Sequence, residues 1–175
     1  MDNITKTKFF VELIKPSHYD DDGYVIQWRK SWIPSNTLAC INALTQDAAD
    51  RNVLGNDVEF VINAYDEMNI VIPVTDIIRR FKNGGEHGIV LFVGVQSNQF
   101  PRTMDIVRQF LKENIQVAIG GFHVSGSISM LPQLPEELKE ATEAGIALFA
   151  GEAEEERLVE VFNDAYQEKL KPIYN

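Results

Sequence analysis

Cysteine is almost missing from this chain, and the one thiol present, Cys40, excludes an internal disulfide and any all-cysteine zinc or iron–sulfur site within it. Cys40 sits in an apolar helical pattern, where a packed thiol is expected. Positive charge is also scarce. Sixteen Lys and Arg face 26 Asp and Glu, a formal net charge of −10, which argues against a nucleic-acid backbone as partner. No run reaches the ~18–20 apolar residues of a membrane span. The polar start, MDNITKTK, is no signal peptide. A cytoplasmic setting away from membranes is the expectation.

Phosphate-binding signatures are absent too. A dinucleotide site needs Gly-x-Gly-x-x-Gly after the first strand, where this chain reads Lys15-Pro16-Ser17-His18, and no Gly-Lys-Ser/Thr of a P-loop occurs. A phosphate-accepting receiver domain would need a carboxylate after the third strand and a lysine after the fifth. Gln96-Ser97-Asn98 and Gly151-Glu152 stand there instead.

What is present is 175 residues with 45% apolar content, enough for one globular domain with a real core. Apolar runs alternate with helical patterns five times without a break in composition. Strands are expected at Lys8–Ile14, Val58–Ala64, Ile89–Val95, Val117–Ile119 and Ile146–Ala150. Helices are expected from Ser35 to Gly55, over Val74–Phe81, from Pro101 to Asn114, over about Glu136–Ala144, and over Glu152–Leu170. This predicts one α/β domain: a three-layer, doubly wound, five-stranded parallel sheet. The right-handed crossover rule favours the flavodoxin-like order 2-1-3-4-5. Pro16–Pro34 is a long connection for such a unit and carries Tyr19, Tyr24, Trp28 and Trp32, with a short extra strand expected at Tyr24–Trp28. A loop this aromatic reads as a binding lid or an interface, including one between two copies of the chain.

The stretch Val117–Gly126, VAIGGFHVSG, organises the rest. A short apolar strand that ends on Gly120-Gly121 turns sharply or is closely approached by something, and ligands in open α/β sheets sit outside the strands' carboxyl ends. The groups expected along that edge are uncharged hydrogen-bonding ones: Ser17, His18, Ser97, Asn98, Gln99, Gly120, Gly121, His123 and Ser125. Such an edge suits a large, flat, partly apolar ligand carrying amides better than a compact anion. A plain strand-to-loop turn is the alternative.

Four strand ends, taken together, resemble a family. Gly120-Gly121-Phe122-His123 closes the fourth strand and Gly151-Glu152-Ala153-Glu154 follows the fifth, while Pro16 follows the first and Ser97 the third. This set looks like the N-terminal cobalamin-binding domain of radical S-adenosylmethionine proteins. Ile33–Ala39 at the first helix and Leu170–Tyr174 at the close fit the same pattern. The resemblance implies base-off cobalamin, with the corrin across the strand ends and its nucleotide tail in a slot kept open by Gly120 and Gly121. The contacts implied are Pro16, Ser17, His18, Tyr19, Ser97, Asn98, Gln99, Phe122, His123, Ser125, Gly151 and Glu152, with Ser97 bonded to the tail. Glu152 would accept from a corrin amide; its plainer reading is a helix-capping carboxylate. No metal ligand is expected. Domains that ligate cobalt use Asp-x-His-x-x-Gly, and here Pro16 and Asp21 stand where the aspartate and glycine would be around His18. A catalytic radical S-adenosylmethionine domain carrying a 4Fe–4S cluster would follow Asn175, and Cys40 alone cannot hold such a cluster. The chain itself would then carry a cofactor without catalysing. The other reading is a cofactor-free scaffold that docks a catalytic domain or a second subunit through the aromatic loop.

Overall fold

The computed structural model describes residues 6–29, 34–85 and 87–175. Six parallel strands form one sheet: β1 (Thr7–Lys15), β2 (Val58–Asp66), β3 (Gly88–Phe92), β4 (Val117–Gly120), β5 (Ala147–Phe149) and β6 (Ile173–Tyr174). Their order is β2-β1-β3-β4-β5-β6. The helices are α1 (Asn36–Asp50), α2 (Val74–Gly84), α3 (Phe100–Leu111), α4 (Phe122–Met130), α5 (Glu136–Glu143) and α6 (Arg157–Tyr166).

Strand periodicity builds two cores. In β1, Phe9, Val11 and Leu13 point to the face that also buries Ala48 of α1 and Leu158, Val161 and Phe162 of α6. Phe10 and Ile14 point to the opposite face, with Ile77 and Phe81 of α2, Ile106, Val107 and Phe110 of α3, and Leu138 of α5. Both faces are covered, as all-parallel sheets require, and the result is a three-layer, flavodoxin-like α/β fold. One carboxylate is buried mid-strand: Glu12 of β1 pairs with Arg80 of α2 at 3.0 Å and accepts from Asn63 of β2.

The structure corrects the expected layout in five places. The sheet has six strands, because Ile173-Tyr174 pairs with β5; two residues are too few to show a period. Tyr24–Trp28 is no strand and makes only a single antiparallel bridge, Tyr19 to Val25. Ser125-Gly126 lies inside α4, where no helix is expected from the sequence, because this small-residue helix has no amphipathic stripe and no side-chain cap. The last helix starts at Arg157, because Glu155 and Glu156 take left-handed φ of 55° and 67° and hold the chain out of the helix. Cys40 is exposed, not packed. His87 is half-buried with its ring 5.8 Å from that of Tyr166. Trp32 and Ile33 lie outside the described residues.

Candidate functional site

A cavity of about 570 Å³ opens at the carboxyl edge of β3, β4 and β5, between α1 and α6. Its origin is an alternation within Val117-Ala118-Ile119-Gly120. Val117 and Ile119 fill the α3 side, leaving Ala118 and Gly120 as the only groups β4 offers to the α1–α6 side. Leu91 and Phe149 wall the space from the neighbouring strands, and Ile41, Leu158 and Val161 from the helices. The depth is therefore apolar.

The mouth is built mostly from backbone and small polar groups: Asn36 and Thr37 of α1, Gly94 and Gln96 after β3, and Gly151 after β5. The two strand-end turns are stitched together, with Val95 N–H donating to Gly120 O and His123 N–H to Val95 O, both at 3.0 Å. Gly121 sits in this stitch at φ +139°, where an added Cβ would lie 2.2 Å from Val95 N. Its lack of a side chain answers to close backbone contact, not to the slot. Gly120 is different: a Cβ there would meet Phe149 at an ordinary 3.4 Å, within the cavity wall. Phe122 does not plug the opening; it is 68% exposed at the rim.

Glu152 is not a helix cap. It is exposed at the mouth, ahead of α6, and its carbonyl accepts from Arg157 Nη1 at 2.6 Å. Arg157 also donates to Ala150 O at 2.7 Å and lies 4.7 Å from the Phe149 ring centre. Ser125 Oγ accepts from Gly151 N–H at 3.0 Å. The Arg51 guanidinium grips Glu156 at 2.7 and 3.1 Å, tying α1 to the turn before α6, and that hydrogen bonding holds the Glu156 carboxyl below its ordinary range.

Other residues expected at the edge serve a separate, closed network beside β1. Ser17 is fully buried; its N–H donates to Glu67 Oε2 at 3.0 Å and its hydroxyl to Ile26 O at 2.5 Å. Glu67, also fully buried, is paired with Arg102 of α3 at 2.5 Å. Gln99 donates to Pro16 O at 2.9 Å and accepts from Lys15 Nζ at 2.7 Å, and Lys15 also reaches Gly94 O at 2.8 Å. Burial pulls the Lys15 amine down to about 8. Tyr19 donates to Asp105 Oδ2 at 2.6 Å. His18 is half-buried; the nearby Asp20 carboxylate accepts from Asp22 and Tyr24 N–H, within its own turn. Asn98 is exposed.

A third group joins three segments. His123 Nδ1 lies 3.1 Å from Ser97 Oγ, and its Nε2 lies 3.1 Å from Glu137 Oε1 of α5. The ring is 8% exposed and 4.6 Å from Phe100.

Of the residues expected at the site, the cavity thus gathers Gly120, Gly121, Phe122, Ser125, Gly151 and Glu152. Pro16, Ser17, His18, Tyr19, Ser97, Asn98, Gln99 and His123 do not line it. The α1 wall, Asn36, Thr37, Cys40 and Ile41, is not among the expected site residues, although Ile33–Ala39 belongs to the resemblance; the Ser35 side chain accepts from Leu38 N–H and starts the helix beside the opening. Among the described residues lining the cavity there is no Lys, Arg or His, and the mouth carries Glu152 and Glu154. With the nearby Arg157 guanidinium spent on the Glu152 and Ala150 carbonyls, the opening favours a neutral, partly apolar group with amide donors over a phosphate dianion. Comparison with models of protein families, with curated proteins and with solved structures finds no match.

Proposed function

We propose that this domain binds cobalamin in its base-off form and carries it for a radical S-adenosylmethionine enzyme, with no catalysis of its own. The observation that carries the reading is the slot over Ala118 and Gly120: apolar at depth, backbone-lined at the mouth and free of cations among its described lining residues. At about 570 Å³ it falls within the ~300–1,000 Å³ of small-molecule sites. A planar, uncharged base on a flexible arm suits it, and a corrin's rim of neutral carboxamides suits Glu152, Gln96 and Asn36. When bound, cobalamin supplies a cobalt centre able to relay a methyl group or tune a radical step in a partner domain; S-adenosylmethionine and a 4Fe–4S cluster belong to that partner. In this chain Leu91, Ala118, Leu158 and Val161 would exclude water from the arm. Phe122 would cover one flank of it.

The experiment is to mix the purified protein with hydroxocobalamin and follow both through gel filtration. Co-elution with a base-off visible spectrum is the expected result, and absence of retention at tens of micromolar cobalamin overturns the proposal. Ala118→Leu, which fills the slot from its floor, is expected to abolish retention while the protein stays folded.

A second reading, a cofactor-free docking module, is favoured by one observation. Tyr24 and Trp28 are 73% and 60% exposed, beside Ile70 and Val71 at 44% and 74%. The two loops are zipped together, Trp28 N–H donating to Met68 O at 2.7 Å and Gln27 Nε2 to Ile70 O at 3.0 Å. If this surface holds a second copy, light scattering sees a dimer that Trp28→Ala dissociates. An unchanged mass removes that version.

A further inference from the structure

We infer that Ser97 meets its ligand only as a hydrogen-bond acceptor, with His123 and Glu137 as the positioning residues that fix this polarity. The inference rests on the cobalamin reading for the identity of the ligand, whose complementary group is then a carboxamide N–H.

His123 Nε2 is enclosed and has no aligned hydrogen-bond partner, yet Glu137 Oε1 stands 3.1 Å away, off the N–H axis. A bare ring nitrogen is partly negative and is repelled by a carboxylate oxygen at that distance even off the axis, whereas a proton on Nε2 makes the same contact attractive. The neutral ring therefore carries its proton on Nε2 and presents a lone pair at Nδ1. A half-turn of the ring would set carbons, Cδ2 and Cε1, against Ser97 and Glu137 in place of the nitrogens and lose both polar contacts. His123 N–H is bonded to Val95 O at 3.0 Å, and Phe100 lies against the imidazole face.

Nδ1 must then accept, and Ser97 Oγ at 3.1 Å is its donor. A serine hydroxyl has one hydrogen and two lone pairs. With the hydrogen engaged by His123, only lone pairs remain toward solvent, and Ser97 is exposed next to Gln96, which lines the cavity mouth. This alters the contact expected from the sequence: Ser97 lies outside the cavity lining and has no proton to give a nitrogen of the buried arm. It can receive one from an amide of the ring above. Glu137 is the charged side chain that reaches the imidazole, and the other contacts to it, from Ser97 and Phe100, are neutral.

Two readouts at about pH 8.5, above the ordinary imidazole range, test this. The first needs no cobalamin: long-range ¹H–¹⁵N correlation of the His123 ring in the ligand-free protein. The expected result is the Nε2–H tautomer, moving toward Nδ1–H in Glu137→Gln, whose amide can offer an N–H to Nε2. An Nδ1–H tautomer in the unmodified protein overturns the inference, and so does a Glu137→Gln spectrum that does not change. The second readout is the affinity of hydroxocobalamin and of its monocarboxylates, each with one side-chain amide converted to an acid. One monocarboxylate is expected to bind about fivefold more weakly than the parent, the scale of one neutral hydrogen bond. Ser97→Ala should remove that difference. Equal discrimination in Ser97→Ala overturns the acceptor role. If hydroxocobalamin is not retained at all, the cofactor reading falls, and the tautomer measurement still decides the polarity of Ser97.

Discussion

On the β1–β2 side of the carboxyl edge, the space beyond the strands is filled by Glu67, Arg102, Gln99 and Ser17, each engaged by another protein group. On the β3–β5 side the same sheet carries Ala118 and Gly120, and the space stays open. Polar residues at a strand end are thus not ligand groups by default. Where partners from a neighbouring loop reach them they become scaffold, and the site forms where the strand's own side chains are smallest.

The largest expected effect lies on the filled side. Arg102→Ala leaves the fully buried Glu67 carboxylate without its cation and should lower unfolding free energy by about 3–5 kcal/mol. Urea unfolding measures it, and a loss below about 1 kcal/mol would show that this side is not held by the pair. Next comes a contrast between adjacent glycines on the open side. Gly121→Ala drives a Cβ against Val95 backbone at φ +139° and should cost about 2–3 kcal/mol, whereas Gly120→Ala meets only ordinary contact and should cost less than about 1 kcal/mol. Equal losses would mean the two glycines serve the same purpose. Ala118→Leu should change stability by under about 1.5 kcal/mol, because the added carbons enter existing space. A larger loss would mean that the slot cannot take even a leucine side chain.

The smallest effect is a slope. Lys15 falls from its ordinary 10.5 to about 8, chiefly because it is buried. Between those values the unfolded chain holds more protons than the folded one, so this amine makes stability rise with pH from about 8 to about 10. Lys15→Met should flatten that rise in denaturation curves taken across the window. An unchanged slope would place its origin elsewhere.

The open half was the more legible in sequence. Large and small residues alternate within VAIG, and a period of two puts both small ones on a single face, so a gap at the fourth strand follows from local pattern. The filled half was opaque. Glu67 and Arg102 are 35 positions apart, and nothing local to either announces the other. The Ser97–His123–Glu137 group was hidden for the same reason, compounded by α4. A helix of small residues without a stripe or a side-chain cap hides both itself and the return of α5 to its start. The left-handed pair Glu155-Glu156 runs against residue preference, and an acidic run before an apolar period reads as helix until backbone angles are seen.

The two-residue strand β6 has a practical consequence. Tyr174 stacks at 25° on Phe149, a wall of the cavity, and its hydroxyl is anchored on Asp164 at 2.8 Å. Because β6 runs parallel to its neighbours, whatever is attached after it emerges beside the opening, while the start of β1 lies at the far rim of the sheet. A dye coupled at the carboxyl end would sit on the edge where a guest is proposed to arrive.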